Sequence, residues 1–258
     1  MSMRVLSLGA GVQSSTLLLM AVHGEIALDR AIFADTQWEP RGVYDWLGGL
    51  ILAAGLAGIP VDVVTAGDLR ADALSASRRF APMPLHVVNA AGRPGMLRRQ
   101  CTKEYKIVPI QRRLRDLGAT RATPASLLIG ISLDEALRMK PSRVRYVRHD
   151  YPLVDRRMTR QSCVVWLDAH GYSEPPKSAC LGCPFMDNRR WRDMRDHRPS
   201  EWDDAVAFDA ASRSMARIDG DVFLHRSLVP LPMVDLSTQR DAGQLDLFAA
   251  ECEGMCGV

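Results

Sequence analysis

The segment RVLSLGAGVQSSTLLLM at residues 4–20 constrains the fold of this chain more than any other feature. Residues 5–8 predict a short buried strand, and the apolar run at 17–22 predicts a helix. Between them lie the small residues 9–11, followed by hydroxyl side chains at 14–16. Unpaired N–H groups at a helix N-terminus point towards a bound anion, and the helix dipole favours negative charge there. This order of elements therefore predicts a site for phosphate.

The loop differs from the two commonest phosphate-binding motifs. It lacks the Gly-Lys-Ser/Thr ending of a Walker A motif, and Ser14 stands where the third glycine of the dinucleotide fingerprint would fall. It resembles instead the PP-loop of the ATP-pyrophosphatase (adenine nucleotide alpha-hydrolase) superfamily, which usually reads Ser-Gly-Gly-x-Asp-Ser. Gly9, Ala10 and Gln13 replace the Ser, the first Gly and the Asp of that pattern. The predicted nucleotide contacts here are Gly9, Ala10, Gly11, Gln13, Ser14 and Ser15, and the alternative is an ordinary strand–turn–helix.

Apolar runs typical of buried strands alternate with helical patterns through the first half of the chain. The predicted strands cover 31–34, 61–64 and 126–131, and the predicted helices cover about 41–55 and 108–117. Short strands separated by helices predict an α/β fold, with a mostly parallel, twisted sheet and helices on both faces. The fold is Rossmann-like, and the resemblance to the PP-loop enzymes implies the adenine nucleotide alpha-hydrolase type.

The second half of the chain is less regular. Residues 171–185 are rich in proline and contain a cysteine pair, and the tail after Ala242 is small and polar. We therefore divide the chain into a PP-loop nucleotide-binding domain over residues 1–160 and an irregular, cysteine-containing C-terminal region over 161–258. We expect the second region to pack on the first.

Polar residues follow two of the predicted strands, at the ends where parallel sheets bind ligands. Asp35 and Thr36 follow the second strand, and Ser132, Asp134, Glu135 and Arg138 follow the fourth. The carboxylates of Asp134 and Glu135 suit a ribose or Mg²⁺, and an arginine suits phosphate. We predict a catalytic role for Asp134 and nucleotide contacts for the two residues after the second strand, for Ser132 and for Arg138, although helix capping and intrahelical charge pairs would explain the same residue types.

Cys101 lies in a basic segment, MLRRQCTKEYKIVPI at residues 96–110. Neighbouring cations lower the pKa of a thiol and favour the thiolate, although a solvated basic helix with an incidental cysteine is the alternative. The order Arg-x-x-Cys-Thr…Lys…Pro resembles the PAPS/APS reductase family, whose iron–sulfur members place a cysteine pair here. Gln100 replaces one cysteine of that pair. We predict that Arg99 and Lys106 contact the nucleotide and that Cys101 is a cluster ligand.

Four more cysteines that could carry chemistry lie in the C-terminal region. Cys180 and Cys183 form a Cys-x-x-Cys motif, which binds a metal or cluster or cycles as a dithiol. The reductases end in a Glu-Cys-Gly motif whose cysteine attacks sulfur, and Cys252 stands in the sequence Glu-Cys-Glu near the end of this chain. The resemblance implies a [4Fe–4S] cluster with Cys252 as the attacking thiol, and zinc is the rival metal. The predicted ligands are Cys101, Cys180, Cys183 and Cys256.

The composition is that of a globular protein, with 47% hydrophobic and 24% charged residues among 258. The uncharged stretch at residues 46–61 contains five Gly or Pro and falls short of the ~20 apolar residues of a membrane span. Without a convincing signal peptide, we expect a cytoplasmic protein that does not insert in membranes. In the cytoplasm, cysteines are more often metal ligands, redox centres or core residues than members of disulfides. Cys163, in the run CVVWL, is predicted to be a core residue.

Taken together, the motifs resemble a PAPS-reductase-like member of the PP-loop superfamily. The resemblance implies an enzyme that uses ATP and Mg²⁺ to adenylate a substrate, and that transfers sulfur with the help of an iron–sulfur cluster. Residues 138–160 carry eight basic and two acidic side chains, which favours a polyanionic substrate such as DNA or tRNA.

Two other functions are compatible with the same motifs. One is a reductase that converts APS or PAPS to sulfite, against which the altered terminal motif argues. The other is a non-catalytic nucleotide-binding module with a structural zinc, which the replacement of the loop Asp by Gln13 favours. The sequence does not identify the acceptor or the sulfur or electron donor, and it is compatible with a homodimer.

Overall fold

The computed structural model describes residues 2–75, 83–213, 215, 218–238 and 241. Its strands are β1 (Arg4–Leu8), β2 (Arg30–Asp35), β3 (Val61–Thr65), β4 (His86–Val88), β5 (Pro94–Met96), β6 (Ala125–Ile129), β7 (Val147–Asp150) and β8 (Asp221–Phe223). Its α-helices are α1 (Val12–Val22), α2 (Arg41–Leu56), α3 (Leu69–Leu74), α4 (Val108–Asp116), α5 (Pro152–Asp155), α6 (Arg160–Ala169), α7 (Asn188–His197) and α8 (Pro199–Ser212). A π-helical segment, Thr102–Ile107, precedes α4, and 3₁₀ turns cover Leu133–Arg138 and Leu231–Met233.

The described residues form two compact units, each built from separate parts of the sequence. Unit 1 lies within Met1–Ala66 and Tyr105–Ser178, and unit 2 lies within Gly67–Glu104 and Ala179–Cys256. These units do not coincide with a division of the chain at residue 160. The reason is long-range pairing, because β4 pairs with β8 in unit 2, whereas α6 packs against α1 in unit 1.

Unit 1 contains a five-stranded sheet in the order β3-β2-β1-β6-β7, and all four neighbouring pairs are parallel. The strands predicted at 31–34, 61–64 and 126–131 are β2, β3 and β6. β7 was missed because its sequence, VRHD, lacks the apolar run of a strand buried on both faces. It lies at the edge of the sheet, where charged side chains reach solvent.

Helices cover both faces of this sheet, which confirms the predicted fold class. Successive residues of a strand point to opposite faces, so Leu6 and Val5 belong to two different hydrophobic clusters. The cluster around Leu6 includes residues of α1, α2 and α6, whereas the cluster around Val5 includes Ile110 and Leu114 of α4.

Helix α1 is buried along most of its length, from Val12 to Ala21, because it packs against β1, α2 and α6. This burial explains the continuous apolar run that begins at Leu17. With 11 residues, α1 is much shorter than a bilayer-crossing helix. No helix in the described part of the chain combines the length and the apolar character needed to cross a membrane.

Unit 2 contains a three-stranded antiparallel sheet in the order β5-β4-β8, and helices α7 and α8 pack on each other. Asp209 of α8 is 1% exposed and is a central acceptor in this unit. Its carboxylate accepts the backbone N–H of Leu224 at 2.8 Å and of Leu231 at 3.0 Å, and it pairs with Arg213. A buried carboxylate is stable here because these donors replace its hydration.

His225 of unit 2 is 3% exposed, and its neighbours suit the neutral imidazole. Nε2 lies 3.1 Å from Asn188 Oδ1, and Nδ1 accepts the Ser227 N–H at 3.1 Å. Burial, followed by the charges of Arg226 and His86, lowers the pKa of His225 from 6.5 to about 4. Folding therefore keeps His225 neutral at pH values where the unfolded chain binds a proton.

Acidification from pH 7 to pH 5 is expected to lower the free energy of unfolding by about 2 kcal/mol through His225. The unfolded state takes up the proton near pH 6.5, whereas the folded state takes it up only near pH 4, so stability is lost as the pH falls between these values. Urea unfolding of the wild type and of His225→Asn at both pH values measures this loss. A loss of the same size in the variant would show that His225 is not its source.

Candidate functional site

The predicted phosphate loop joins the carboxyl end of β1 to the first turn of α1. Gly11 is the N-cap of α1 without a side-chain cap, and Ala10 has a φ of 55°, which lies in the left-handed region that favours glycine. Ser14 holds the loop, because its hydroxyl accepts the Gly9 N–H at 3.1 Å and donates to the Gly11 carbonyl at 3.3 Å. The first backbone N–H groups of a helix have no partner within the helix, so this loop presents donors to an anion.

The next two hydroxyl residues of α1 face the interior and correct the predicted contact at Ser15. Ser15 and Thr16 are both 0% exposed. The Ser15 hydroxyl accepts the Trp46 indole N–H at 2.9 Å, and the Thr16 hydroxyl donates to the Val12 carbonyl at 2.8 Å. These side chains pack α1 against its neighbours and are not available to a ligand.

The end of β6 lies directly against the first turn of α1, at Gly130. A Cβ atom there would lie 2.9 Å from Ser14 N, 3.1 Å from Ser14 Cα and 3.2 Å from the Gln13 carbonyl carbon. These are backbone atoms of the phosphate loop's helix, so only glycine fits without moving it. Sequence reasoning missed this residue, although a glycine within the predicted fourth strand was a visible signal.

Side chains after β6 meet the phosphate loop through Gln13. Its amide nitrogen lies 3.1 Å from Glu135 Oε2 and 3.4 Å from Ser132 Oγ. Glu135 in turn accepts a hydrogen bond from Arg138, whose Nε is buried with no hydrogen-bond partner in the described part of the chain. The structure therefore brings together Gln13, Ser132 and Arg138, which were predicted as nucleotide contacts. The turn after β6 thus places the Glu135 carboxylate beside Gln13.

Asp134, the predicted catalytic carboxylate, is exposed and has a structural contact instead. Its Oδ1 accepts the Arg160 backbone N–H at 3.0 Å, at the first residue of α6. A carboxylate at a helix N-terminus stabilises the helix dipole. The neighbouring Glu135, and not Asp134, is the carboxylate that faces the loop.

Asp35 ends β2, the strand next to β1. Its Oδ1 accepts the Tyr44 hydroxyl at 2.8 Å and the Gln37 N–H at 2.8 Å. Burial, reinforced by the Asp35 carboxylate, raises the pKa of the Tyr44 hydroxyl above its ordinary value, so this hydroxyl stays a donor. Asp35 is thus held at the same edge of the sheet as the phosphate loop, since β1 and β2 are parallel.

Thr36 and Lys106 meet at a buried carboxylate, Glu39. Thr36 is 1% and Glu39 4% exposed, and the Thr36 hydroxyl donates to Glu39 Oε1 at 3.1 Å. Lys106 Nζ lies 3.4 Å from the same oxygen. The ion pair joins the loop after β2 to the π-helical segment, so the structure brings Lys106 to Thr36 through a residue that the sequence had not assigned to the site.

The remaining predicted site residues belong to unit 2 or lie outside the described residues. The Arg99 guanidinium lies over the Phe185 ring at 5.3 Å. The Cys183 N–H donates to the Cys180 carbonyl at 3.1 Å, which closes the Cys-x-x-Cys turn. Cys101, Cys180 and Cys183 are half-buried, and no group of three or more Cys, His, Asp or Glu in the described part of the chain could hold a metal ion as it stands. Cys252 and Cys256 lie outside the described residues.

Cys163 is the cysteine of unit 1, and its environment is that of a core residue, as predicted. Its side chain is 0% exposed within the cluster formed by α1 and α6. Burial raises the pKa of the Cys163 thiol to about 11, so it stays protonated at neutral pH.

No protein-family model matches this chain, and neither does any curated protein. Among solved structures, it is similar to the U34-tRNA thiolase NcsA from Methanococcus maripaludis with its [4Fe-4S] cluster. The two share 14% sequence identity, the match covers 81% of this chain and 71% of that chain, and the TM-score is 0.40. A likeness at this level carries no argument about function.

Proposed function

We propose that this chain binds ATP at the loop of residues 9–11 and uses it to adenylate an acceptor, whose activated oxygen is then replaced by sulfur. The observation that carries the proposal is the N-terminus of α1, which has no side-chain cap, lies at the carboxyl edge of a parallel sheet and is linked to Arg138 through Gln13 and Glu135. This edge is where open α/β sheets bind ligands.

Arg138 is the proposed cation for the phosphate chain of ATP. Its pairing with Glu135 orients the guanidinium, and Gln13 holds Glu135 from the other side. The Nε of Arg138 is buried and has no partner in the described part of the chain, so a phosphate oxygen would satisfy it. The α1 N–H groups and this guanidinium would then bind the same anion.

Asp35 is the proposed contact for the nucleoside. It lies at the end of β2, adjacent to the strand that leads into the phosphate loop. Neighbouring parallel strands lie about 4.8 Å apart, so a nucleotide with its phosphates at the loop extends over the end of β2. Tyr44 fixes the orientation of the carboxylate, which leaves Oδ2 for a ribose hydroxyl or the adenine amine.

The proposed reaction has two steps. An oxygen of the acceptor attacks the α-phosphorus of ATP, the bond to the bridging oxygen of the β-phosphate breaks, and pyrophosphate leaves with the electron pair. A sulfur nucleophile then attacks the activated carbon of the acceptor, and AMP leaves with the oxygen. The α1 N–H groups and Arg138 stabilise charge on the phosphates, and bound Mg²⁺ would supply further neutralisation there.

Cys101, Cys180 and Cys183 are the proposed ligands of a [4Fe–4S] cluster, with Cys256 as the fourth. The chemistry of the donor set fits, because the first three are partly exposed thiols of the same unit and thiolates bind such clusters. When bound, the cluster would supply a place for sulfur. A zinc ion on four cysteines is the competing occupant.

Calorimetric titration with ATP and with AMP tests the nucleotide site. Arg138→Gln is expected to weaken ATP binding by about 10- to 100-fold, since it removes charge-assisted contacts to phosphate. Its AMP affinity should change little, because AMP lacks the β- and γ-phosphates. Arg148→Gln, which removes an exposed arginine of β7 in the same unit, is the control and should bind ATP like the wild type.

Product analysis separates the proposed reaction from simple binding. Labelled ATP incubated with the protein and an acceptor should yield AMP and pyrophosphate. Absence of ATP binding by the wild type would refute the proposed function. Binding without AMP formation, with every acceptor class supplied, would favour the non-catalytic module.

A further inference from the structure

Five exposed arginines of unit 1 lie on the second half of α4 and in the segments that lead into β6 and β7, and we call them the arginine strip. Two lie on α4, one lies in the loop between α4 and β6, and two lie just before β7. Their side chains are all exposed to solvent. The members are Arg112, Arg115, Arg121, Arg143 and Arg145.

Tyr146 brings the end of α4 next to the segment before β7. The Arg115 guanidinium lies over the Tyr146 ring at 5.6 Å. The Ala125 N–H donates to the Tyr146 carbonyl at 3.0 Å, which places the start of β6 beside the start of β7. The strip therefore lies at the amino ends of β6 and β7, whereas the phosphate loop follows the carboxyl end of β1.

The positive charge of the strip is not neutralised within the described part of the chain. Arg113, between two strip residues, pairs with Asp62 at 2.8 Å, whereas none of the five strip arginines has a carboxylate partner there. Two acidic residues lie near these segments in the sequence. Asp116 follows Arg115, and Asp150, at the far end of β7, accepts the Ser126 hydroxyl at 2.6 Å. The surface thus carries a clear excess of positive charge.

We propose that the arginine strip binds the phosphodiester backbone of a nucleic acid. This deepens the proposed function by naming the acceptor class, and it rests on that function for the reason to bind one. Guanidinium groups match phosphate geometry, and several in a row suit a ligand with regularly repeated negative charges. The strip guanidinium groups are exposed and have no carboxylate partner in the described part of the chain, so a nucleic acid can bind them without breaking an internal ion pair.

The strip and the ATP site are far enough apart to be tested separately. They lie at opposite ends of strands of about five residues, which span about 17 Å. A variant of the strip should therefore keep the ATP affinity of the wild type. A strip variant that loses nucleic-acid binding but keeps ATP binding would show that the strip contributes to nucleic-acid binding independently of the ATP site.

Filter binding of tRNA and of duplex DNA across a salt series tests the proposal. If each arginine makes one phosphate contact, duplex affinity should fall by about 500-fold between 50 and 200 mM salt, with a slope of about −0.9 per contact. In Arg112→Gln/Arg115→Gln the same salt change should cost only about 40-fold. The difference between the tRNA and DNA arms identifies which nucleic acid is the ligand.

Arg189→Gln/Arg195→Gln is the matched control, because it removes two exposed arginines from α7 of unit 2. It should keep the salt slope of the wild type. An equal loss in both double variants would mean that binding follows net charge rather than the strip, and would overturn the proposal. No binding of either nucleic acid at low salt, or binding of anionic lipid vesicles alone, would overturn it too. Circular dichroism checks that the strip variant is folded.

Discussion

Replacing Gly130 by alanine is expected to lower both the stability of the protein and its affinity for ATP. The new Cβ would lie 2.9 Å from Ser14 N, so the first turn of α1 has to move away from β6. Overpacking of this kind costs about 1–3 kcal/mol of unfolding free energy. If the displaced turn loses two phosphate contacts of about 1.5 kcal/mol each, ATP affinity falls roughly 100-fold. Urea unfolding and calorimetry measure the two effects.

Gly48→Ala is the control for this experiment. Gly48 lies on the exposed side of α2, and a Cβ there would meet nothing within 4 Å. Alanine is a better helix former, so this variant should gain up to about 1 kcal/mol and bind ATP normally. Unchanged stability in Gly130→Ala would show that β6 does not press against α1. If Gly130→Ala is less stable and the wild type does not bind ATP, the result supports the contact between β6 and α1 and refutes the nucleotide site.

Loss of iron is the expected result of Cys180→Ser in protein prepared without oxygen. The wild type should be brown, with about four iron atoms per chain if the proposed cluster is a cubane. Serine removes one thiolate of the Cys-x-x-Cys turn, which the Cys183 N–H closes on the Cys180 carbonyl. Visible absorption and iron analysis measure the loss.

Cys163→Ser is the matched cysteine control. This thiol is 0% exposed in the core of unit 1, and its raised pKa of about 11 disfavours the thiolate that a metal needs. Iron should stay at the wild-type level in this variant. Stoichiometric zinc without iron in the wild type would refute the cluster. Retained iron in Cys256→Ser would show only that Cys256 is not the fourth ligand.

The fold class could be predicted because it follows from local patterns. The apolar runs of β1, β2 and β6 are recognisable without any knowledge of their partners, and short parallel strands require helices between them. Since the carboxyl ends of parallel strands meet at one edge, Gln13 and Ser132 were expected to be neighbours, although they are 119 residues apart.

The sequence alone determined much less about which atoms face the site. Ser15 and Asp134 have the residue types of ligands, but α1 is buried on several sides, and the turn after β6 directs Glu135 rather than Asp134 towards Gln13. Which side of a helix or turn is buried depends on the elements that pack around it. Position along the chain does not contain that information.

Tertiary structure also decided the features that depend on distant pairs. Gly130 has a role only because β6 meets α1, and the arginine strip exists only because Tyr146 lies beneath Arg115. The grouping of segment 67–104 with the C-terminal part follows from the pairing of β4 with β8, which are more than 130 residues apart. Local sequence determined the apolar strands of the parallel sheet, and long-range packing decided which side chains lie at its carboxyl edge.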